Sequence, residues 1–359
     1  MPRHTQATIH LDAIIKNYQL ANAWAPNSRN IAVIKADAYG HGSVQVARAL
    51  APFAPAFAVA IFEEAVILKD AGIQNPILVL QGINESSELE YAVKHDIWPM
   101  LENDLQVRLI TDTPLTCPIT VWLKIDSGMH RLGLNKDELT KLMKRLKACP
   151  WINPDIVLSS HLACASNPED EMSMQQLKHF SQLTDKLNLS TSLANSAALL
   201  GFEQTHMDWN RPGIMLYGLS PFEDINSHQQ ILKPAMSFTS SVLSIRQVKK
   251  GEYVGYSKHW RADKPTTIAT IAVGYADGYP RHAKNGTPLL IAGQRASLVG
   301  RVSMDMITAD ISLCSHIKIG DSVELWGNNI NANEVAQHAQ TIGYQLLTGV
   351  SQRVKRCYV

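Results

Sequence analysis

The segment Ala32-Val33-Ile34-Lys35-Ala36-Asp37-Ala38-Tyr39-Gly40-His41-Gly42 sets a lysine at the end of an otherwise apolar run. Desolvation at such a strand end disfavours the ammonium, lowers its pKa and makes the neutral amine a nucleophile toward an aldehyde. A lone strand-end lysine can also snorkel to water. Here the glycines and Tyr39 weigh against that, because they put backbone-approach positions and a phenol immediately beyond the strand. A second apolar run ends on His161, a position where histidine is more often structural than chemical. Arg211 precedes Pro212-Gly213, and Asn195-Ser196 reads on its own as a helix cap.

Such residues need a frame that gathers strand ends. Up to about residue 228, the runs 31–36, 56–62, 76–82, 119–126 and 156–163 predict strands, with helices over 85–95, 135–149 and 169–187 between them. The last helix follows Asn167-Pro168, read as a cap and first-turn proline. Alternation of helices with β-branched, buried strands implies parallel pairing. There are enough units for a closed (β/α)8 barrel, in which chemistry sits at the C-terminal strand ends. After Pro221 the runs 236–248, 266–279, 288–299, 306–312 and 321–327 follow one another without long helices, punctuated by glycines. They predict a predominantly β, antiparallel C-terminal domain with one helix over 333–342. The division expected is therefore a barrel over 1–228 and a β-rich domain over 229–359.

The length of 359 residues suits two or three domains at ~150 residues each. Lys+Arg total 33 against 32 Asp+Glu, a net charge of +1, so no basic surplus exists to neutralise phosphates of a nucleic acid or an anionic membrane. With 45% hydrophobic residues the chain is too apolar to be disordered. Its 5 cysteines (Cys117, Cys149, Cys164, Cys314 and Cys357) are scattered and never spaced C-x-x-C, which argues against a disulfide framework or a zinc site. The start MPRHTQATIH has no apolar core for a signal peptide, and no run approaches the ~20 apolar residues of a membrane span. A cytoplasmic location is expected, and no metal.

AVIKADAYGHG resembles the pyridoxal-phosphate lysine motif of bacterial alanine racemases. The resemblance recurs in LKIDSGMHRLG (123–133), SSHLACA (159–165), ANSAA (194–198), RPGIMLYG (211–218), VGYS (254–257), VGYADGYPR (273–281) and GRVSMDM (300–306). It implies a pyridoxal-phosphate-binding barrel with a C-terminal β domain, active as a head-to-tail homodimer that shares its sites. It also implies interconversion of L- and D-alanine by two bases, and a supply of D-alanine for peptidoglycan.

By the same resemblance Lys35 carries the cofactor and is one base. Tyr256, from the partner subunit, is the other. A phenol with a reference pKa near ~10 needs its anion stabilised, and the family pattern gives that task to His161, hydrogen-bonded onward to Arg211. Arg211 would face the pyridine nitrogen and keep it unprotonated, because guanidinium holds its protons. Tyr39, the Ser196 hydroxyl and the backbone of Gly213 and Ile214 would bind the phosphate, near the strands where such barrels often do so. Arg131 would meet the substrate carboxylate or the cofactor's phenolic oxygen. Lys124 matches a lysine often carbamylated to anchor that arginine. Met304 would offer its backbone N–H to the substrate carboxylate from the other subunit, and Tyr275 would line the entrance.

One departure stands out. The family commonly has a tyrosine before Arg-Val-Pro near its C-terminus, where this chain has Gln352-Arg353-Val354-Lys355. That implies a different phosphate grip and gate, and leaves room for serine or lysine as further substrates. A non-catalytic pyridoxal-phosphate carrier would lack the second half of the chain. A decarboxylase on the same plan would pair the ring nitrogen with an acid rather than Arg211. A metal-dependent barrel hydrolase would need several strand-end ligands, whereas His161 is the one strand-end histidine in view.

Overall fold

A computed structural model describes residues 4–222 and 227–359, arranged as two large sheets and a two-stranded ribbon. The first strand, β1 (Gln6–Ile9), leads into a helix, Leu11–Trp24. Short parallel strands follow: β2 (Arg29–Asn30), β3 (Ala32–Val33), β4 (Phe57–Val59), β5 (Ile77–Val79), β6 (Ile97–Leu101), β7 (Trp122–Lys124), β8 (Val157–Ser159), β9 (Ser190–Asn195) and β10 (Trp209–Arg211). β2 and β3 are halves of one strand broken at Ile31. β2 pairs with β10 and β3 with β4, and the ladder runs through the break, with Ile31 N–H on the Asn210 carbonyl at 2.9 Å and Val33 N–H on the Pro212 carbonyl at 3.0 Å. Every other neighbour pair is parallel too. Counting the split strand once, the nine segments close into an eight-stranded barrel, as the alternation predicts.

Strands such as Phe57–Val59, Ile77–Val79 and Val157–Ser159 are buried along their whole length, as helices covering a parallel sheet require. The rings of Trp122 and Trp209 meet 5.7 Å apart near the N-terminal strand ends, with Trp98 6.0 Å from Trp209. That end of the barrel is filled, and the C-terminal ends carry the open space.

The C-terminal half contains β11 (Met236–Val248), β12 (Tyr253–Val254), β13 (Trp260–Arg261), β14 (Thr266–Ile271), β15 (Pro288–Ile291), β16 (Gln294–Leu298), β17 (Ile307–Asp310), β18 (Ser322–Trp326) and β19 (Lys355–Tyr358). β11 pairs with both β14 and β18, which closes a ring through β17, β16 and β15. β1 adds to β11 antiparallel, and β19 lies parallel beyond it. The chain's first strand thus sits in the sheet of its second half.

Two helix expectations need correction. The helix expected over 169–187 runs Met172–Thr184, and Asn167 is not its cap. Asn167 Oδ1 accepts the N–H of Glu169, while Asp170 Oδ1 accepts that of Met172. The single helix expected over 333–342 is two, Ala332–His338 and Gly343–Gly349, separated where Gln340 takes φ +53°. Among the described residues all five cysteines are free, and no helix is long and apolar enough to cross a membrane.

Candidate active site

A cavity of about 820 Å³ opens at the C-terminal strand ends and gathers most of the candidate residues. Lys35 stands two residues beyond β3, Lys124 ends β7, His161 lies two beyond β8, Ser196 follows β9 and Arg211 ends β10. Barrel geometry explains the gathering, because parallel strands deliver all their ends to one mouth. Arg131, Tyr39, Gly213 and Ile214 line the same cavity.

The charge of this cavity is lopsided. Burial, and then Arg131 and Arg211, hold the Lys35 amine below its ordinary pKa, with Glu64 opposing them. Burial, Arg211 and Arg131 push Lys124 well below the usual lysine range. His161 is held well below the ordinary imidazole value by burial first and then by Lys124, so its ring is neutral at pH 7. Arg211 is brought down by burial to about 10, still protonated at neutral pH. One carboxylate of the lining, Glu102, is itself pushed upward by burial. A concave site with four cationic side chains favours an anionic occupant.

Arg211 is fixed by its neighbours. It donates from Nη1 to Ser192 Oγ and from Nη2 to the carbonyls of Ser160 (2.5 Å) and Leu193 (3.2 Å). The expected link from the His161 ring to Arg211 is absent among the hydrogen bonds of the described residues, because those acceptors already engage the guanidinium. The two meet only through charge.

Ser196 Oγ accepts the N–H groups of Gly213 (2.8 Å) and Met215 (3.4 Å), while Asn195 caps the helix Ser196–Gly201 through the N–H of Ala198 at 3.0 Å. A Cβ on Gly213 would stand 2.7 Å from the Tyr39 hydroxyl. Only glycine lets that phenol reach the Ser196 corner. The result is a cluster of hydroxyls and backbone N–H groups suited to a multi-oxygen anion.

Tyr256, Tyr275 and Met304 do not line this cavity. They are exposed, at 71%, 38% and 53% respectively. Their loops adjoin: Tyr275 N–H donates to the Ser303 carbonyl and Ala276 N–H to that of Met304, both at 3.0 Å, and a Cβ on Gly255 would stand 3.4 Å from Arg301 N.

Gln352 is exposed and outside the cavity, whereas Tyr344, on the helix Gly343–Gly349, lines it. The Tyr344 ring centroid is 6.1 Å from that of Tyr39, and burial pushes its phenol up to about 12. The sequence reading missed Tyr344 because it ended the helical segment at 342. Arg353 braces two loops instead, pairing with Asp277 at 2.9 Å and Asp305 at 2.7 Å. Glu102 was also missed, since β6 before it was not read as a strand. No group of three His, Cys, Asp or Glu able to hold a metal occurs among the described residues.

Comparison with known proteins bears on this arrangement. The alanine racemase N-terminal domain family matches residues 9–221 and the alanine racemase C-terminal domain family matches 235–358. An alanine racemase of Alteromonas mediterranea is 44% identical over 99% of both chains. The crystal structure of the biosynthetic alanine racemase of Pseudomonas aeruginosa superposes with a TM-score of 0.95 at 44% identity, covering 99% of each chain. That of Bartonella henselae, which has covalently bound pyridoxal phosphate, gives 0.90 at 31% identity over 100% of each. With both halves matched in order, this chain belongs to the alanine racemase family.

Proposed function

We propose that the chain racemises alanine with pyridoxal phosphate bound through Lys35. The observation that carries this is the recessed, pKa-lowered Lys35 amine, in one cavity with the Ser196–Gly213–Tyr39 corner and Arg211. The residues present fit that cofactor: an amine for its aldehyde, hydroxyl and N–H donors for its phosphate, and a fixed guanidinium for its ring nitrogen. Tyr344 would supply a further phenol beside Tyr39, in place of the tyrosine expected at 352. When bound, pyridoxal phosphate supplies an electron sink that delocalises the charge left on Cα as its proton departs.

The remaining work belongs to side chains. Racemisation takes the Cα proton from one face and returns it to the other, so two proton-carrying groups must face each other across the substrate. Lys35 Nζ serves one face, and the partner subunit's copy of Tyr256 serves the other. His161, neutral, can donate to that phenol's oxygen and so hold its anion. Arg131 receives the substrate carboxylate or the phenolic oxygen of the cofactor. Burial biases Lys124 toward the neutral amine, the form that adds carbon dioxide with loss of a proton, and its carbamate would anchor Arg131. Met304 and Tyr275 of the second copy close the entrance.

This assignment requires a homodimer, because Tyr256, Tyr275 and Met304 are exposed on the chain that carries them. We place the working division at about residue 228, with β1 exchanged into the β-rich half. The role suggested is D-alanine supply for peptidoglycan in the cytoplasm. Borohydride reduction, digestion and mass spectrometry should find a pyridoxyl group on Lys35, and rates on alanine, serine and lysine should favour alanine. An unmodified Lys35 peptide in a racemase-active sample would sink the assignment.

A further inference from the structure

Ala36, Asp37, Ala38 and Tyr39 all take φ of +52° to +53°. Left-handed helical backbone costs non-glycine residues roughly 1–2 kcal/mol each, so four in a row persist only where surrounding structure over-determines them. The run begins directly after Lys35 and ends on Tyr39, and it therefore sets the angle between the two. Several tethers hold it. Glu64 accepts the N–H of Ala36 at 2.6 Å and of Ala60 at 2.8 Å. Asp37 accepts the N–H of Ser43 at 2.7 Å, and Arg356 Nε donates to the Gly40 carbonyl at 2.8 Å.

The innermost tether is His41. It is 0% exposed, and its Nδ1 lies 3.0 Å from the Ala38 carbonyl and 2.9 Å from that of Tyr39. Carbonyls only accept, so Nδ1 carries the proton. Among the described residues Nε2 has no hydrogen-bond partner, so charging the ring would bury a donor without an acceptor, next to the Arg356 charge. The ring packs 4.6 Å from Tyr217, whose own ring stacks on Tyr39 at 4.7 Å. His41 does not reach the cavity. Burying an imidazole merely to fill space costs more than burying an apolar side chain, and among the described residues the only hydrogen bonds its ring makes are to the left-handed run itself.

We propose that His41 is a positioning residue: its shared Nδ1–H pins the Ala38 and Tyr39 carbonyls so that the left-handed run presents Lys35 and Tyr39 to one occupant. The proposal rests on the reading that these two residues hold pyridoxal phosphate.

Asparagine and leucine are nearly isosteric, and only asparagine can donate from the δ position. His41→Asn and His41→Leu, with His41→Phe to preserve ring volume, are compared with the full-length wild type. The readouts are Kd for pyridoxal phosphate, kcat and KM of the saturated enzyme, and Tm of the cofactor-free protein. The expected result is a Kd raised roughly tenfold or more in the Leu and Phe variants, corresponding to ~1.4 kcal/mol. Their kcat should fall at unchanged KM for alanine, with both effects largely restored by Asn. A Tm loss in all three variants with Kd within twofold of wild type would reduce His41 to a structural residue and overturn the proposal, as would equal Kd for Asn and Leu. Failure of the Lys35 assignment shows separately, as a borohydride-treated wild type with no pyridoxyl group on that lysine.

Discussion

At Lys35 opposing influences meet, and their balance decides whether the amine is ready to react. Burial is the largest, Arg131 adds to it, Glu64 opposes and Arg211 adds again, leaving the amine below its ordinary pKa. Only the neutral form attacks an aldehyde. Removing the Arg131 charge raises the Lys35 pKa, so the pH above which attachment becomes fast moves upward. Arg131→Gln should therefore shift the midpoint of the attachment rate of pyridoxal phosphate to cofactor-free protein toward alkaline pH. An unmoved midpoint would show that Arg131 does not tune this amine. At this scale the sequence was informative about position and silent about surroundings. That Lys35 ends a buried run could be read directly, whereas Glu64 and Glu102 gave no signal, because their relevance comes from strands far along the chain.

Elements convert such residues into a site, and their limits show in how they respond to acid. His41 is held down to about 4 by burial, against ~6.5 in an unfolded chain. Below pH ~6.5 the unfolded chain takes up a proton that the folded chain refuses. Stability is thus complete above that pH and declines toward pH 4, by at most ~3 kcal/mol from this group. His161, half-buried at the cavity and also held below its ordinary value, adds to the same decline. Tm of the cofactor-free protein should fall between pH 7 and pH 4.5, and fall less steeply in His41→Asn; parallel curves would refute the assignment of that slope to His41. The barrel and the β-rich half were both legible, because buried β-branched runs and glycine-marked turns are local signals. β6, β9 and β10 were not. β6 carries Pro99, and β9 opens on Ser190-Thr191-Ser192. β10 buries Asn210, whose Nδ2 donates to Asn30 Oδ1 across the barrel seam at 3.2 Å. Each is a strand by virtue of its partners. The left-handed run is illegible for the same reason, since in Ala36-Asp37-Ala38 only the aspartate tolerates positive φ, and then as a single residue rather than a run.

In the whole molecule the proposed assignment puts its two bases on different surfaces of one chain. The cavity holds Lys35, His161 and Arg211, while Tyr256 stands out in solvent on a loop of the β-rich half. The proposed two-fold dimer, in which each β-rich half reaches the other's cavity, would join them, since such an axis makes both contacts alike. This arrangement predicts complementation between two inactive chains. Lys35→Ala keeps its tyrosine and Tyr256→Phe keeps its lysine, so in a mixed dimer one site draws both intact groups and the other draws neither. Random re-pairing at equal concentrations makes half the dimers mixed, each with one good site of two, so activity should return to roughly a quarter of wild type. Subunits that served only their own cavities would recover nothing on mixing, and the shared site would have to be abandoned.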